Sequence, residues 1–209
     1  MFISWCRRTM QQRRGWPTNE HEWIVLQKRY KEARSATSCF CPQSAPTSPK
    51  EPGPIRAARY GEQMLGAVAT NLTVLRPCYF MDNWAPVLGA AKGQGVLPTF
   101  IAHQAMVPMI STSDIGRVGA EQLMVGGKGK QIIELAGPAE YSPNDVAVAL
   151  GQILGKPVTA QHAPLSAVVP TFKSFGFSDE AAKLFEEMYT SFSTGAIGYE
   201  HPASVFGVG

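Results

Sequence analysis

Cysteine is scarce in this sequence, and long apolar runs are missing. The 209 residues include four cysteines with no CxxC pair, and Cys39 and Cys41 form a lone CxC without a nearby histidine. Because cysteine-based zinc sites combine paired ligands, the sequence predicts no metal site. No run of about 18 uninterrupted apolar residues occurs, so no membrane-spanning helix is expected. The 44% apolar fraction is typical of a globular protein, and few cysteines favour a reducing, cytoplasmic setting.

Acidic residues are absent before Glu20, and the charge differs between the two ends of the chain. Residues 1–54 carry nine Lys and Arg against four acids, a net charge of +5, whereas the remainder carries ten against twelve, a net charge of −2. No helical or strand period persists in residues 1–54. A nucleic-acid arm and an Arg-rich transit peptide are alternatives. We expect instead an irregular or disordered basic leader, or the product of a displaced reading frame, with nucleic acid an unlikely partner.

A regular pattern begins at Ile55, and residues 55–209 are therefore assigned to one domain. Amphipathic segments with Ser or Asp at their starts predict helices, and β-branched apolar runs such as "LTVLRP" and "KQIIELAGP" predict strands. Pro77 should end the first of these strands because proline cannot donate to a central ladder. Ser142 and Ser178 are expected to cap two later helices. Alternating strands and helices predict an α/β fold with a parallel sheet. The predicted strands are too few for a complete doubly wound domain.

Four strings carry a resemblance to a known family: "PIRAARYGEQML", "LTVLRPCYFMDNW", "STSDIGRVGAEQL" and "IIELAGPAEYSPNDVAVALGQILGKPV". Their order and spacing resemble the NmrA-like family, atypical members of the short-chain dehydrogenase/reductase superfamily. The resemblance covers about residues 53–195, the C-terminal part of the family's domain. It implies an incomplete Rossmann-like sheet, a small C-terminal α/β lobe that closes over a substrate, and NAD(P)H as cofactor.

A glycine-rich turn, which a Rossmann domain needs so that backbone amides can approach the pyrophosphate, is absent. None of the 20 glycines forms the family's GxxGxxG, and no YxxxK signature occurs. Ala58 stands where many family members have a Lys, four residues ahead of Glu62. The expected function is an NAD(P)H-dependent oxidoreductase acting on a small carbonyl or quinone-like compound. The alternatives are a non-catalytic redox-sensing protein with a protein partner, and a truncated product without the cofactor loop.

Candidate site residues follow the "LTVL" strand, because ligands in such folds lie outside the carboxyl ends of the strands. By resemblance, the backbone of Pro77 and Cys78 approaches the nicotinamide, while Tyr79 and Phe80 supply an aromatic wall for cofactor and substrate. Asn83 can hydrogen-bond a substrate or fix the loop. His103 is expected to line the cleft, and Tyr60 is a candidate proton donor for which packing against the sheet is an equal alternative. Trp84 is interpreted as core packing beneath the loop.

Overall fold

The computed structural model describes residues 36–39, 53–126, 128–197 and 205–207. Most of the predicted basic leader lies outside the described residues. Within it, Ala36–Cys39 forms strand β1, which the sequence pattern does not predict; it pairs in parallel with the next strand, from Ala36 opposite Leu72 to Cys39 opposite Leu75.

The central sheet contains four parallel strands in the order β1-β2-β6-β9. Strand β2 is Leu72–Pro77, β6 is Lys130–Ala136 and β9 is Val205–Gly207. Every residue of β2 is buried, as expected for a strand covered on both faces. Pro77 ends the strand, which confirms the prediction from its missing N–H.

Helices cover both faces of this sheet. Helix α1, Ile55–Val68, packs against β2 through Leu65, Leu72 and Val74. Helix α3, Thr112–Val125, covers the other face, where Leu75 joins a core cluster with Val118 and other residues. Successive side chains of a strand point to opposite faces, so even-numbered residues of β2 face α1 and odd-numbered residues face α3.

Two smaller sheets flank the central one. Strand β3, Tyr79–Phe80, continues the chain after β2 and joins β5, Val107–Ile110, and β7, Glu140–Tyr141. Strand β4, Val96–Thr99, pairs in parallel with β8, Thr159–His162. Between β3 and β4 lie a 3₁₀ turn, Met81–Val87, and helix α2, Leu88–Gln94. This is the short broken helix that the sequence predicts there.

Of the three remaining helices that the structure describes, two begin at the expected serine caps. Helix α4, Pro143–Leu154, has Ser142 in a capping box, and α3 begins after Ser111, whose hydroxyl accepts from the Asp114 N–H at 3.1 Å. Helix α6, Asp179–Ser193, begins after Ser178. The 3₁₀ turn Leu165–Ala167 and helix α5, Val168–Ser174, precede it. Helix α5 is not predicted by the sequence pattern, because Pro170 interrupts it.

Helices α5 and α6 pack together through aromatic rings. Phe172 stacks on Phe185 with ring centroids 4.2 Å apart, and Phe100 and Tyr189 extend the contact. This aromatic packing joins the helices of the C-terminal lobe that the family resemblance predicts. The mixed α/β architecture and its parallel central sheet confirm the predicted fold class.

Among the residues described, no helix has the length and apolar character needed to cross a membrane.

Candidate functional site

The predicted site begins where β2 ends, and its first residues are enclosed by protein. The Cys78 N–H donates to the Leu135 carbonyl at 2.9 Å, which holds the residue after β2 against β6. Pro77 and Cys78 are buried, with Cys78 only 1% exposed. The Cys78 thiol lies 4.0 Å from the Tyr79 carbonyl oxygen. These two residues therefore shape the strand end from within the core.

Tyr79 is also buried, and its ring packs against other aromatic rings near the strand end. Its ring lies 5.9 Å from Trp84 and 6.1 Å from Phe192 between ring centroids. Burial raises the pKa of Tyr79 well above its ordinary value, and the neighbouring Tyr189 raises it further. A hydrogen bond with Asn83 acts in the opposite direction, toward a lower pKa. Because burial dominates, the Tyr79 hydroxyl releases its proton less readily than an exposed tyrosine does, while it can still donate a hydrogen bond.

Phe80, Asn83 and His103 have accessible side chains. Phe80 is half-buried and packs against the cluster beneath α3, while Asn83 and His103 are exposed. The His103 carbonyl accepts from the Asn144 N–H at 3.1 Å, which ties this loop to the start of α4. Of the predicted site residues, Tyr79 and Asn83 are thus brought together by a hydrogen bond, and Phe80 follows them at the same strand end.

The 3₁₀ turn Met81–Val87 is fastened at one end. The Asp82 carboxylate accepts from the Thr112 N–H at 2.9 Å and from the Thr112 hydroxyl at 2.8 Å. These two bonds join the turn to the first residue of α3. Trp84, which is part of the turn, packs in the core as the sequence predicts.

The indole N–H of Trp84 is buried without an acceptor among the described residues. Such an unpaired donor costs about 1–3 kcal/mol, so native proteins contain few of them. The side chain is 7% exposed, and Asn83 before it and Ala85 after it are exposed. An unused donor is therefore buried within the strand-end turn.

Tyr60 occupies a different face of the sheet from Phe80. It is half-buried on α1, whereas Phe80 packs against the cluster beneath α3. Ala58, at the position where the resemblance places a lysine, is 2% exposed and packs in the core.

A buried ion cluster joins α1 to the sheet, and sequence reasoning missed it. The Arg76 Nε and Nη2 donate to the two carboxylate oxygens of Glu62 at 3.0 and 2.7 Å. Arg76 also lies 3.9 Å from Glu134, its register partner on β6. Arg76 and Glu134, each flanked by apolar residues in its strand, were the available signal, because buried charges are usually paired.

No cluster of three or more potential metal ligands occurs in the part of the chain that the structure describes.

Comparison with known proteins connects this site to a fold. No protein-family model matches the sequence, and no curated protein matches it significantly. Among solved structures, the chain is similar to an NADPH-dependent quinone oxidoreductase from Escherichia coli in complex with NADPH. That similarity has 20% identity and a TM-score of 0.66, over 86% of this chain and 62% of the other.

Two further structures show the same fold. A nucleoside-diphosphate-sugar epimerase from Staphylococcus aureus is 19% identical, with a TM-score of 0.64 over 86% of this chain and 62% of that one. A triphenylmethane reductase from Citrobacter sp. in complex with NADP(H) is 16% identical, with a TM-score of 0.58 over 86% and 65%. The chain spans less than two thirds of the length of each. At these identities the similarity is one of fold, and the chain has the Rossmann-like α/β fold that its resemblance to the NmrA-like family predicts.

Proposed function

We propose that this chain provides the substrate side of an NAD(P)H-dependent oxidoreductase that acts on a small carbonyl or quinone-like compound. The observation that carries the proposal is the position of Phe80 and Asn83. Both are accessible just beyond the carboxyl end of β2, where ligands bind in folds of this type. The E. coli structure with this fold is of an NADPH-dependent quinone oxidoreductase.

The residues present fit the nicotinamide end of such a cofactor better than its pyrophosphate. Phe80 offers a partly exposed aromatic ring, and Asn83 offers an amide that can donate and accept hydrogen bonds. The sequence contains no GxxGxxG turn for the pyrophosphate. A bound NAD(P)H would supply a hydride, and the residues of this chain would orient the acceptor.

Two tyrosines are candidates to donate the accompanying proton. Tyr79 lies at the strand end, but burial raises its pKa and so makes it a weaker acid. Tyr60 lies on α1, on the other face of the sheet. Tyr60 therefore stays the candidate proton donor expected from the sequence, and Tyr79, which lies close to Asn83, is the alternative.

A titration of the purified full chain with NADPH, followed by quinone reduction at 340 nm, tests the proposal. We expect NADPH to raise the melting temperature of the protein. We expect the protein to oxidise NADPH when 1,4-benzoquinone is added as the acceptor. Asn83→Ala should raise the KM for the quinone several-fold, whereas Gln94→Ala, an exposed amide at the end of α2, should leave it unchanged. Failure of NADPH to bind would refute the proposal.

A non-catalytic redox-sensing role is the second candidate, and Ala58 favours it. The resemblance places a lysine at this position, but the side chain is a buried methyl group with no proton to transfer. This role predicts that NADPH and NADP⁺ bind with different affinities while quinones and aldehydes are not reduced. Turnover of any of these compounds, lost in Asn83→Ala, would exclude it.

A further inference from the structure

The unpaired indole N–H of Trp84 points to a substrate contact. Its nitrogen is buried without an acceptor among the described residues, although the adjacent Asn83 is exposed at the proposed site. A ligand oxygen that replaced the missing acceptor would satisfy the donor. Trp84 lies in the turn that follows β2 and β3. This turn comes after the carboxyl end of β2, where ligands bind in this fold.

The surroundings of Trp84 restrict the chemistry of that ligand. The indole belongs to a core cluster with Tyr79 and the apolar residues Leu97, Ile101, Val107, Met109 and Ala147. A buried water is held by two to four polar partners, whereas a carbonyl oxygen carried on an apolar ring needs one donor. The cluster therefore suits a flat apolar molecule with a carbonyl oxygen better than a polar one.

Exposed residues of the turn Met81–Val87 flank Trp84 on both sides in the sequence. Of the turn's residues, all except Trp84 and Val87 are exposed, so their movement disturbs little packing. The tether between Asp82 and Thr112 holds the turn against α3 in the closed arrangement. A path to Nε1 requires displacement of the exposed residues that flank Trp84.

We propose that the Trp84 indole N–H donates a hydrogen bond to a carbonyl oxygen of a quinone-like substrate when the exposed residues that flank Trp84 in the turn are displaced. Trp84 is then a substrate-binding residue that selects carbonyl compounds from apolar molecules of the same shape. This inference rests on the proposed function, since it names a contact in the same site.

Indole resonances of the ¹⁵N-tryptophan-labelled full chain test the contact directly. The other three tryptophans lie within residues 1–54, so a variant with these three replaced by Phe reports Trp84 alone. We expect 1,4-naphthoquinone to move the Trp84 indole N–H signal downfield, and naphthalene, which has no carbonyl, to leave it nearly unmoved. Equal effects of the two compounds, or no effect of either, would overturn the proposal.

Trp84→Phe tests the same contact by affinity, because it removes the donor and keeps an aromatic ring. Naphthoquinone should bind about fivefold more weakly, the loss expected for one neutral hydrogen bond, while naphthalene binding stays unchanged. Tyr141→Phe is the matched control: it removes a hydroxyl from a ring packed against the same cluster and should not change either affinity. Equal weakening for both ligands would show packing alone and refute the contact.

The outcome is separable from that of the proposed function. If NADPH does not bind but naphthoquinone still moves the Trp84 signal, the reductase proposal fails and the Trp84 contact stands. If NADPH binds and quinones are reduced while Trp84→Phe leaves quinone affinity and KM unchanged, the reductase proposal stands and this inference fails.

Discussion

Replacing Arg76 by Met removes the cation that joins two acidic side chains in the interior. The Arg76 side chain is 5% exposed, Glu62 is 12% exposed and Glu134 is fully buried. Breaking a buried ion pair by removing one partner costs about 3–5 kcal/mol, because the remaining charge has lost its compensation. We expect Arg76→Met to lower the free energy of unfolding by about this amount.

Urea unfolding followed by circular dichroism measures the effect. A loss of 3–5 kcal/mol is a large part of the roughly 5–15 kcal/mol that stabilises an ordinary domain. The melting temperature of the variant should also fall, by roughly 2–4 °C for each kcal/mol lost. Arg76→Lys provides a milder change. It keeps the positive charge but cannot form the two parallel hydrogen bonds to Glu62, and it should be destabilised by less than Arg76→Met.

Arg117→Met is the matched control. Arg117 also bonds a glutamate, Glu121, at 3.0 Å, but both side chains are about half exposed, and exposed pairs contribute about 0–1 kcal/mol. In the Arg76→Met background, Glu134→Gln should recover part of the lost stability, because it replaces a buried carboxylate by a neutral amide. Equal, small losses for the Arg76 and Arg117 variants, or a further loss on adding Glu134→Gln, would refute the reasoning.

The other predictions concern a close backbone contact and a helix cap. A Cβ at Gly137 would collide with the Met109 carbonyl oxygen, so Gly137→Ala should lower the unfolding free energy by about 1–3 kcal/mol in urea titrations. Gly116 has open space around it inside α3, so Gly116→Ala should raise the unfolding free energy by about 0.5–1 kcal/mol. Similar changes in the two variants would contradict this. Hydrogen bonds from Ser142 lower the pKa of Asp145 from its ordinary value of 3.8. The cap should therefore stabilise the protein above that pH and lose its effect as the pH falls through the lowered pKa. Asp145→Asn should reduce the melting temperature at pH 7 but not at pH 2, and an equal reduction at both would exclude a charge effect.

Local signals in the sequence predicted most helix starts. Ser111, Ser142 and Ser178 each carry a hydroxyl that can replace the missing acceptor at the start of a helix, and each is a cap in the structure. Helix α5 could not be predicted in this way. Pro170 interrupts its pattern, and its stability comes from the stacking of Phe172 on Phe185, a contact between residues of different helices.

The strand end at which the candidate site is predicted could be found from the sequence, but the burial around it could not. The end of β2 at Pro77 follows from the missing N–H of proline, and this located the residues after it. The burial of Tyr79 depends on Phe192, more than 100 residues further along the chain. The partner of Arg76 on β6 was likewise hidden, because pairing between parallel strands is set by register and not by local sequence.

The start of helix α1 is built from residues that are far apart in the sequence. The Gly53 N–H donates to the Glu187 carboxylate at 3.0 Å, and Arg56 donates to the same oxygen at 2.8 Å. Gly53 has a positive φ of 60°, and a side chain on it would collide with the Leu184 carbonyl oxygen. During synthesis these contacts cannot form until residue 187 has left the ribosome. Helix α1 thus reaches its final position late, since contacts at such long sequence separation slow folding, and ribosome-bound chains that end before α6 should leave this helix open to proteases.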